Sequence, residues 1–201
     1  MNLPNKLTIF RILLVPVLLV VLVVKFPIPS WATQVISAAV FIIASLTDMI
    51  DGKIARKRNL ITDFGKFMDP LADKFLVFAA LLGILYRYDG SQEGFADFRS
   101  VVIWAAAIVF FRELAVTSLR LVIAGKDGLV IAASWLGKIK TTTQMVCIST
   151  IFLEPVLLGW LKPFGEWHIL SYATMAAMTI MTLWSGINYM ITYWKYIDPE
   201  K

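Results

Sequence analysis

Two long segments without a charged residue most constrain what this chain can fold into. One covers residues 26–47, which is 22 residues, and the other covers residues 169–194, which is 26. A helix needs roughly 20 apolar residues to cross a hydrocarbon core of about 30 Å, so each segment predicts a transmembrane helix. The whole chain is 59% hydrophobic and 16% charged, against roughly 25% charged residues in soluble domains.

We predict an all-α integral membrane bundle, a single domain over residues 1–201, with six transmembrane helices. Proline and glycine residues separate the six apolar segments. The predicted spans are residues 7–26, 31–56, 70–87, 101–124, 138–160 and 169–194. Spans three to five have short apolar cores that are flanked by charged residues, so some of these charges fall inside the predicted spans. Ionisable residues at such positions usually carry function. The pattern therefore predicts a polar active-site cavity at the cytoplasmic ends of the helices.

The distribution of lysine and arginine predicts the orientation. Of the 19 basic residues, 15 fall on the side that carries both termini, and the other side holds Lys25, Arg87, Arg99 and Lys162. By the positive-inside rule, both termini lie in the cytoplasm of a multi-pass protein of the cell membrane. We expect the basic residues, with a net charge of +5, to bind phosphates and anionic lipid, and we find no nucleic-acid module.

Four aspartates lie close together on the predicted cytoplasmic side: Asp48, Asp51, Asp69 and Asp73. In helices, each pair shares one face, because the pairs are spaced three and four residues apart. The two pairs can face each other across a turn at residues 61–66. Clustered carboxylates repel unless a cation is present, and an all-oxygen set suits Mg²⁺ or Mn²⁺. We predict two divalent ions that bridge a pyrophosphate.

A simpler structural interpretation exists for one of these pairs. Asp69 followed by Pro70 is also a good helix start, with the aspartate as the N-cap. It does not explain Asp48 and Asp51, which come at the cytoplasmic end of a helix, where the helix dipole disfavours anions.

The order of residues from Asp48 to Asp73 resembles the signature of CDP-alcohol phosphotransferases, D-x2-D-G-x2-A-R-x8-G-x3-D-x3-D, at all eight fixed positions. The resemblance implies a six-helix membrane enzyme, expected to be a homodimer, that transfers a group from a CDP-linked donor to an alcohol and releases CMP. It implies metal binding by the four aspartates. The single histidine, His168, lies on the opposite side of the membrane in this prediction, so it cannot act as the catalytic base. An aspartate must therefore accept the proton, and Asp73 is the best candidate. Nucleotide contacts are expected from Asn5, Thr8, Gly52, Ala55, Arg56 and Gly65.

A second group of residues on the same side concerns the acceptor. Arg11, the pair Arg112 and Arg120, and Lys138 are candidates to bind an acceptor phosphate, since arginine forks bind phosphate bidentately. Lys138 and Lys140 are about 200° apart in a helix, so only one can face the site. The segments around them resemble the family members that use glycerol 3-phosphate. The expected reaction joins CDP-diacylglycerol and sn-glycerol 3-phosphate to give phosphatidylglycerol phosphate and CMP.

Two alternatives stay open. A related transferase of the same family could accept inositol phosphate, serine or a second phosphatidylglycerol, and only the basic cluster argues against that. A cation channel or transporter could also use carboxylates. However, the four aspartates all lie at one end of the spans, which disfavours an ion path.

Overall fold

The computed structural model describes residues 2–57, 62–88, 95–127, 135–159 and 168–194. Six helices make up this part of the chain, with no strand within these ranges. They are α1 (Leu3–Val23), α2 (Ser30–Lys57), α3 (Asp63–Arg87), α4 (Phe95–Asp127), α5 (Trp135–Leu157) and α6 (Ile169–Tyr193). The predicted all-α architecture is confirmed.

Three stretches of helix are long and apolar enough to cross a membrane: Leu3–Val23, Ser30–Gly52 and Ala96–Ile123. Large apolar side chains also point outward from the bundle; Phe111 is 77% exposed and Ile191 is 74% exposed. Contiguous exposed apolar surface of this kind is typical of a protein that contacts lipid or partners. The apolar helices indicate a multi-pass membrane protein.

The start of α3 differs from both sequence-based expectations. We predicted a span from Pro70 and a turn at residues 61–66, whereas α3 begins at Asp63. Thr62 is its N-cap and accepts a hydrogen bond from the Gly65 amide at 3.1 Å. The alternative in which Asp69 caps a helix that begins at Pro70 is therefore wrong, because both residues lie inside α3. The carboxylate of Asp69 is free for another role.

Helix packing brings the N-terminal end of α1 against the helices that carry the aspartates. α1 packs on α2 and α3, α5 packs on α6 and α2, and α4 packs on α6 and α3. A β-carbon added at Gly83 of α3 would lie 2.3 Å from Leu22 of α1. The missing side chain at Gly83 therefore lets α1 and α3 approach closely, and this contact holds α1 beside the aspartates of α3.

The opposite end of the bundle is held by Glu154 of α5, a buried carboxylate. It accepts hydrogen bonds from the amides of Leu170 and Ser171, both at 2.8 Å, and from the Ser171 hydroxyl. These amides belong to the first turn of α6 and have no partner inside that helix. Glu154 therefore fixes α6 alongside α5.

Candidate active site

The two aspartate pairs lie on neighbouring helices and face one another. Asp48 and Asp51 are in α2, and Asp69 and Asp73 are in α3. Asp48 interacts electrostatically with both Asp69 and Asp73, and Asp51 interacts with Asp69. The structure thus brings together the four carboxylates that the spacing placed in pairs.

Arg11 of α1 lies between the two aspartates of α2. Its Nη1 atom is 2.7 Å from Oδ1 of Asp48, and its Nη2 atom is paired with Oδ2 of Asp51. Arg11 is 0% exposed and Asp51 is 3% exposed, so this ion pair is shielded from water. Its guanidinium neutralises both carboxylates in this structure, and the role of Arg11 in binding the acceptor phosphate stays a prediction.

The start of α1 also contacts α3 through two residues expected to bind nucleotide. The Thr8 hydroxyl donates a hydrogen bond to Oδ1 of Asp69 at 2.6 Å, and the Thr62 hydroxyl donates to Oδ1 of Asn5 at 2.9 Å. A β-carbon at Gly65 would lie 3.3 Å from the Thr62 hydroxyl and 3.5 Å from Oδ1 of Asn5. The absence of a side chain at Gly65 therefore leaves room for these contacts.

Three other expected nucleotide-binding residues belong to the last turns of α2. Gly52 directly follows Asp51 and is half-buried. Ala55 and Arg56 continue the helix, but their side chains lie outside the described part of the structure. Their proposed contacts with the nucleotide stay predictions.

A buried ionic cluster lies on α3, α4 and α5. Glu113 accepts from the Lys140 ammonium, and its Oε1 atom lies 3.3 Å from Nη1 of Arg112. The Lys74 ammonium donates to the Thr117 hydroxyl, which in turn donates to the Glu113 carbonyl oxygen at 2.6 Å. We call these five residues the basic cluster.

The basic cluster adjoins the aspartates through Asp73. The Asp73 carboxylate interacts electrostatically with both Lys140 and Glu113. Lys74 follows Asp73 directly in the chain and interacts with the same two groups. A ligand held by the basic cluster would therefore lie beside the predicted base.

Arg112 is directed towards α6. Its Nη2 atom donates to the Ser185 hydroxyl at 2.5 Å, and its guanidinium carbon lies 5.8 Å from the centre of the Tyr189 ring. A β-carbon at Gly186 would lie 3.0 Å from Cγ of Arg112, so a side chain there would displace the arginine. Small residues on α6 therefore accommodate this buried cation.

The other two basic candidates are on the surface. Arg120 is exposed and interacts electrostatically with Lys74, and Lys138 is exposed as well. Lys140, by contrast, is 4% exposed. The two lysines do lie on different faces of α5, and the buried one is Lys140.

Sequence reasoning assigned no role to Lys74 or Glu113, and it left open whether Lys138 or Lys140 faces the site. One signal could have found them, because ionisable residues inside predicted spans are rare and usually face a polar interior. Glu113 is such a residue, and it requires cationic neighbours. Which lysines supply the positive charge depends on how the helices pack.

The chemistry of the aspartates suits a hard divalent cation, since only carboxylate oxygens are offered. Within the described ranges, no three histidine, cysteine, aspartate or glutamate side chains converge as a ligand set. Arg11 takes the place of a cation between Asp48 and Asp51. The oxygen donors fit the chemistry of a hard divalent cation, although the four carboxylates are not gathered into a ligand set in this part of the structure.

An apolar groove of about 510 Å³ runs between α2 and α5. Apolar side chains from both helices form most of its wall, among them Ile42, Leu46, Met145 and Leu153. Ser45 and Thr142 line the groove toward the end of the bundle that carries the aspartates. The groove has the length and character of a site for an acyl chain.

Comparison with known proteins gives a consistent result. Residues 1–193 match the family model described as CDP-alcohol phosphatidyltransferase. A Bacillus subtilis protein named CDP-diacylglycerol–glycerol-3-phosphate 3-phosphatidyltransferase is 40% identical, covering 99% of this chain and 98% of its own length. A Salmonella choleraesuis protein of the same name is 37% identical over 94% of this chain and 93% of its own length.

A third relative, from Mycobacterium tuberculosis, is named a probable phosphatidylglycerophosphate synthase. It is 36% identical over 94% of this chain and 80% of its own length. The family match spans nearly all of the residues that form the site described above. This chain belongs to the CDP-alcohol phosphatidyltransferase family.

Proposed function

We propose that this protein transfers the phosphatidyl group of CDP-diacylglycerol to sn-glycerol 3-phosphate, giving phosphatidylglycerol phosphate and CMP. The observation that carries the proposal is the agreement of relatives named for this reaction over nearly the whole chain. The reaction makes a phospholipid precursor. The basic cluster beside Asp73 supplies the structural reason for a phosphorylated acceptor.

Charge balance in the basic cluster favours such an acceptor. Lys74, Arg112 and Lys140 carry three positive charges against the carboxylates of Glu113 and the adjacent Asp73, which leaves a net charge of +1. Uncompensated charge in a largely buried site is costly unless it is paired. A phosphate group supplies negative charge to the cluster, whereas serine, with no net charge, does not. Arg120 lies at its exposed edge, and Lys140 replaces Lys138 as the proposed lysine.

Asp73 is the proposed general base. It accepts the proton of the C1 hydroxyl of glycerol 3-phosphate as that oxygen attacks the phosphorus that carries the diacylglycerol. A bond forms between this oxygen and the phosphorus, the bond from phosphorus to the CMP oxygen breaks, and CMP leaves with the electron pair. Its electrostatic interactions with Lys140 and Glu113 support this role, because an acceptor held by the basic cluster would lie close to Asp73.

The four aspartates are the proposed ligands of two divalent ions, Mg²⁺ or Mn²⁺. Such ions supply the positive charge that neutralises the pyrophosphate and stabilises the leaving CMP. Arg11 serves as the counter-ion of Asp48 and Asp51 while they hold no metal. Thr8 orients the Asp69 carboxylate through its hydrogen bond.

The donor is proposed to bind at the meeting point of α1, α2 and α3. Gly52, Ala55, Arg56 and Gly65 would hold the cytidine nucleotide, with Asn5 and Thr8 on the α1 side. The groove between α2 and α5 would take one acyl chain, because α2 connects it to the aspartates. All six helices would span the membrane, with the site and both termini in the cytoplasm and two copies forming a homodimer.

The proposal is tested with the purified full chain in detergent, CDP-diacylglycerol and Mg²⁺ or Mn²⁺. Acceptors are glycerol 3-phosphate, serine and inositol phosphate, and the signal is CMP release. We expect release with glycerol 3-phosphate. Release with serine or inositol phosphate alone would identify a different acceptor, and ion flux in liposomes without any CMP release would identify a transporter.

A further inference from the structure

One amide nitrogen near the basic cluster has no hydrogen-bond partner in the described part of the structure. Gln144 of α5 is 1% exposed, and its Nε2 atom has no partner among the described residues. Leaving a buried donor unpaired is unfavourable, so such groups in folded proteins call for an explanation. Nothing in the proposed reaction above uses this side chain.

Gln144 lies on the same face of α5 as Lys140, one helical turn further along. Four residues correspond to a rise of about 6 Å, so the two side chains are close enough to contact the phosphate and a hydroxyl of one small acceptor. Both Lys140 and Gln144 are buried in α5. A ligand whose phosphate meets Lys140 therefore extends along the helix toward Gln144.

The predicted base, Asp73 of α3, lies near Lys140, which is one helical turn from Gln144 in α5. The two helices contact each other, and Asp73 interacts electrostatically with Lys140. An acceptor with its phosphate on Lys140 and its C1 hydroxyl on Asp73 thus presents its C2 hydroxyl near Gln144.

We propose that Gln144 is a specificity-determining residue that hydrogen-bonds to the C2 hydroxyl of the acceptor. The inference rests on the proposed function and adds a role that neither phosphate nor metal binding supplies. A neutral amide does not compete with the cations for phosphate, and it both donates to and accepts from a hydroxyl. A site built to bind a substrate hydroxyl discriminates against an analogue without it, because the buried partner is then unsatisfied.

The test compares two acceptors on the full-length enzyme. Glycerol 3-phosphate carries the C2 hydroxyl, and 3-hydroxypropyl phosphate has the same phosphate and the same attacking hydroxyl but lacks it. We expect the wild-type protein to prefer glycerol 3-phosphate in kcat/KM by about tenfold or more. Gln144→Leu should reduce this preference to within about twofold, chiefly by losing efficiency with glycerol 3-phosphate.

Gln34→Leu is the matched control, since it makes the same substitution near the first turn of α2, at the opposite end of the bundle. It should keep the wild-type preference. Gln144→Glu, which preserves the shape of the side chain, provides a second variant if Gln144→Leu does not fold. The wild-type protein alone supplies another readout: glycerol 3-phosphate should raise the unfolding temperature more than 3-hydroxypropyl phosphate does.

Three results would overturn the inference. One is a wild-type protein that uses both acceptors equally and is stabilised equally by them. Another is a Gln144→Leu enzyme that loses the same factor with both acceptors, which would make Gln144 a packing residue that bonds only to water. The third, no CMP release from the wild-type protein with either acceptor, would remove the proposed function itself and this inference with it.

Discussion

The position of Arg11 between Asp48 and Asp51 leads to a prediction about stability rather than turnover. Arg11→Met keeps an unbranched side chain of similar length and removes the charge. The carboxylate of Asp51, 3% exposed, would then be buried without its partner. Removal of one member of a buried ion pair costs about 3 to 5 kcal/mol. For a chain of this size, that corresponds to a fall in unfolding temperature of about 6 to 20 °C.

A divalent ion should reverse this loss. If the aspartates bind metal, an ion can occupy the place that the guanidinium leaves, and ligand binding stabilises the folded state by mass action. At a concentration 100 times its dissociation constant, Mg²⁺ or Mn²⁺ would return about 2.7 kcal/mol, which is half or more of the loss. The wild-type protein should gain less, since the ion must first displace Arg11.

The assay is thermal unfolding of purified protein in detergent, with EDTA and then with increasing Mg²⁺ or Mn²⁺. Arg87→Met is the control: its guanidinium donates to the Ser30 carbonyl oxygen at an exposed position at the other end of the bundle. We expect that variant to stay within about 1 kcal/mol of wild type and to show no added response to metal. An Arg11→Met protein that unfolds within about 2 °C of wild type in EDTA would refute the reasoning. So would a metal response equal to that of wild type.

Four further predictions concern turnover. Lys140→Met should lower kcat/KM for the acceptor by roughly thirtyfold or more, because a buried charge-assisted hydrogen bond is lost. Lys138→Met, at an exposed position, should change it less than about threefold. The reverse order would return the acceptor site to Lys138. Asp73→Asn should still bind CDP-diacylglycerol with metal, measured by protection against unfolding, and yet release no CMP; loss of donor binding would make Asp73 a ligand first. Asp69→Asn should fold and insert normally but keep less than about a tenth of wild-type turnover, because an amide leaves the ion site one charge short. Met145→Trp should obstruct the groove between α2 and α5. The increase in KM should then be about tenfold larger for long-chain CDP-diacylglycerol than for a short-chain donor. An equal increase for both donors would mean that the acyl chains bind elsewhere.

The membrane class, the number of helices and the grouping of the aspartates could be predicted from the sequence, because each depends on local properties. The uncharged run of residues 26–47 is long enough to span lipid wherever it packs, and the apolar stretch Ser30–Gly52 of α2 covers most of it. A spacing of three or four residues places Asp48 with Asp51, and Asp69 with Asp73, on one face of any helix. The same periodicity placed Lys138 and Lys140 on different faces. The predicted start of α3 at Pro70 was wrong for a local reason as well. The N-cap at Thr62 outweighed the usual preference of proline for the first turn of a helix.

Only the tertiary structure decided which charges meet. The ion pairs of Arg11 could not be predicted from its own segment, since its aspartate partners lie 37 and 40 residues away in the chain. Lys140 pairs with Glu113 and Lys74 bonds to Thr117 across helix boundaries, so no periodicity within one helix predicts them. The physical reason is burial. In a low-dielectric interior, the free energy of a charged or amide group depends on its nearest polar partner, and helix packing determines which group that partner is.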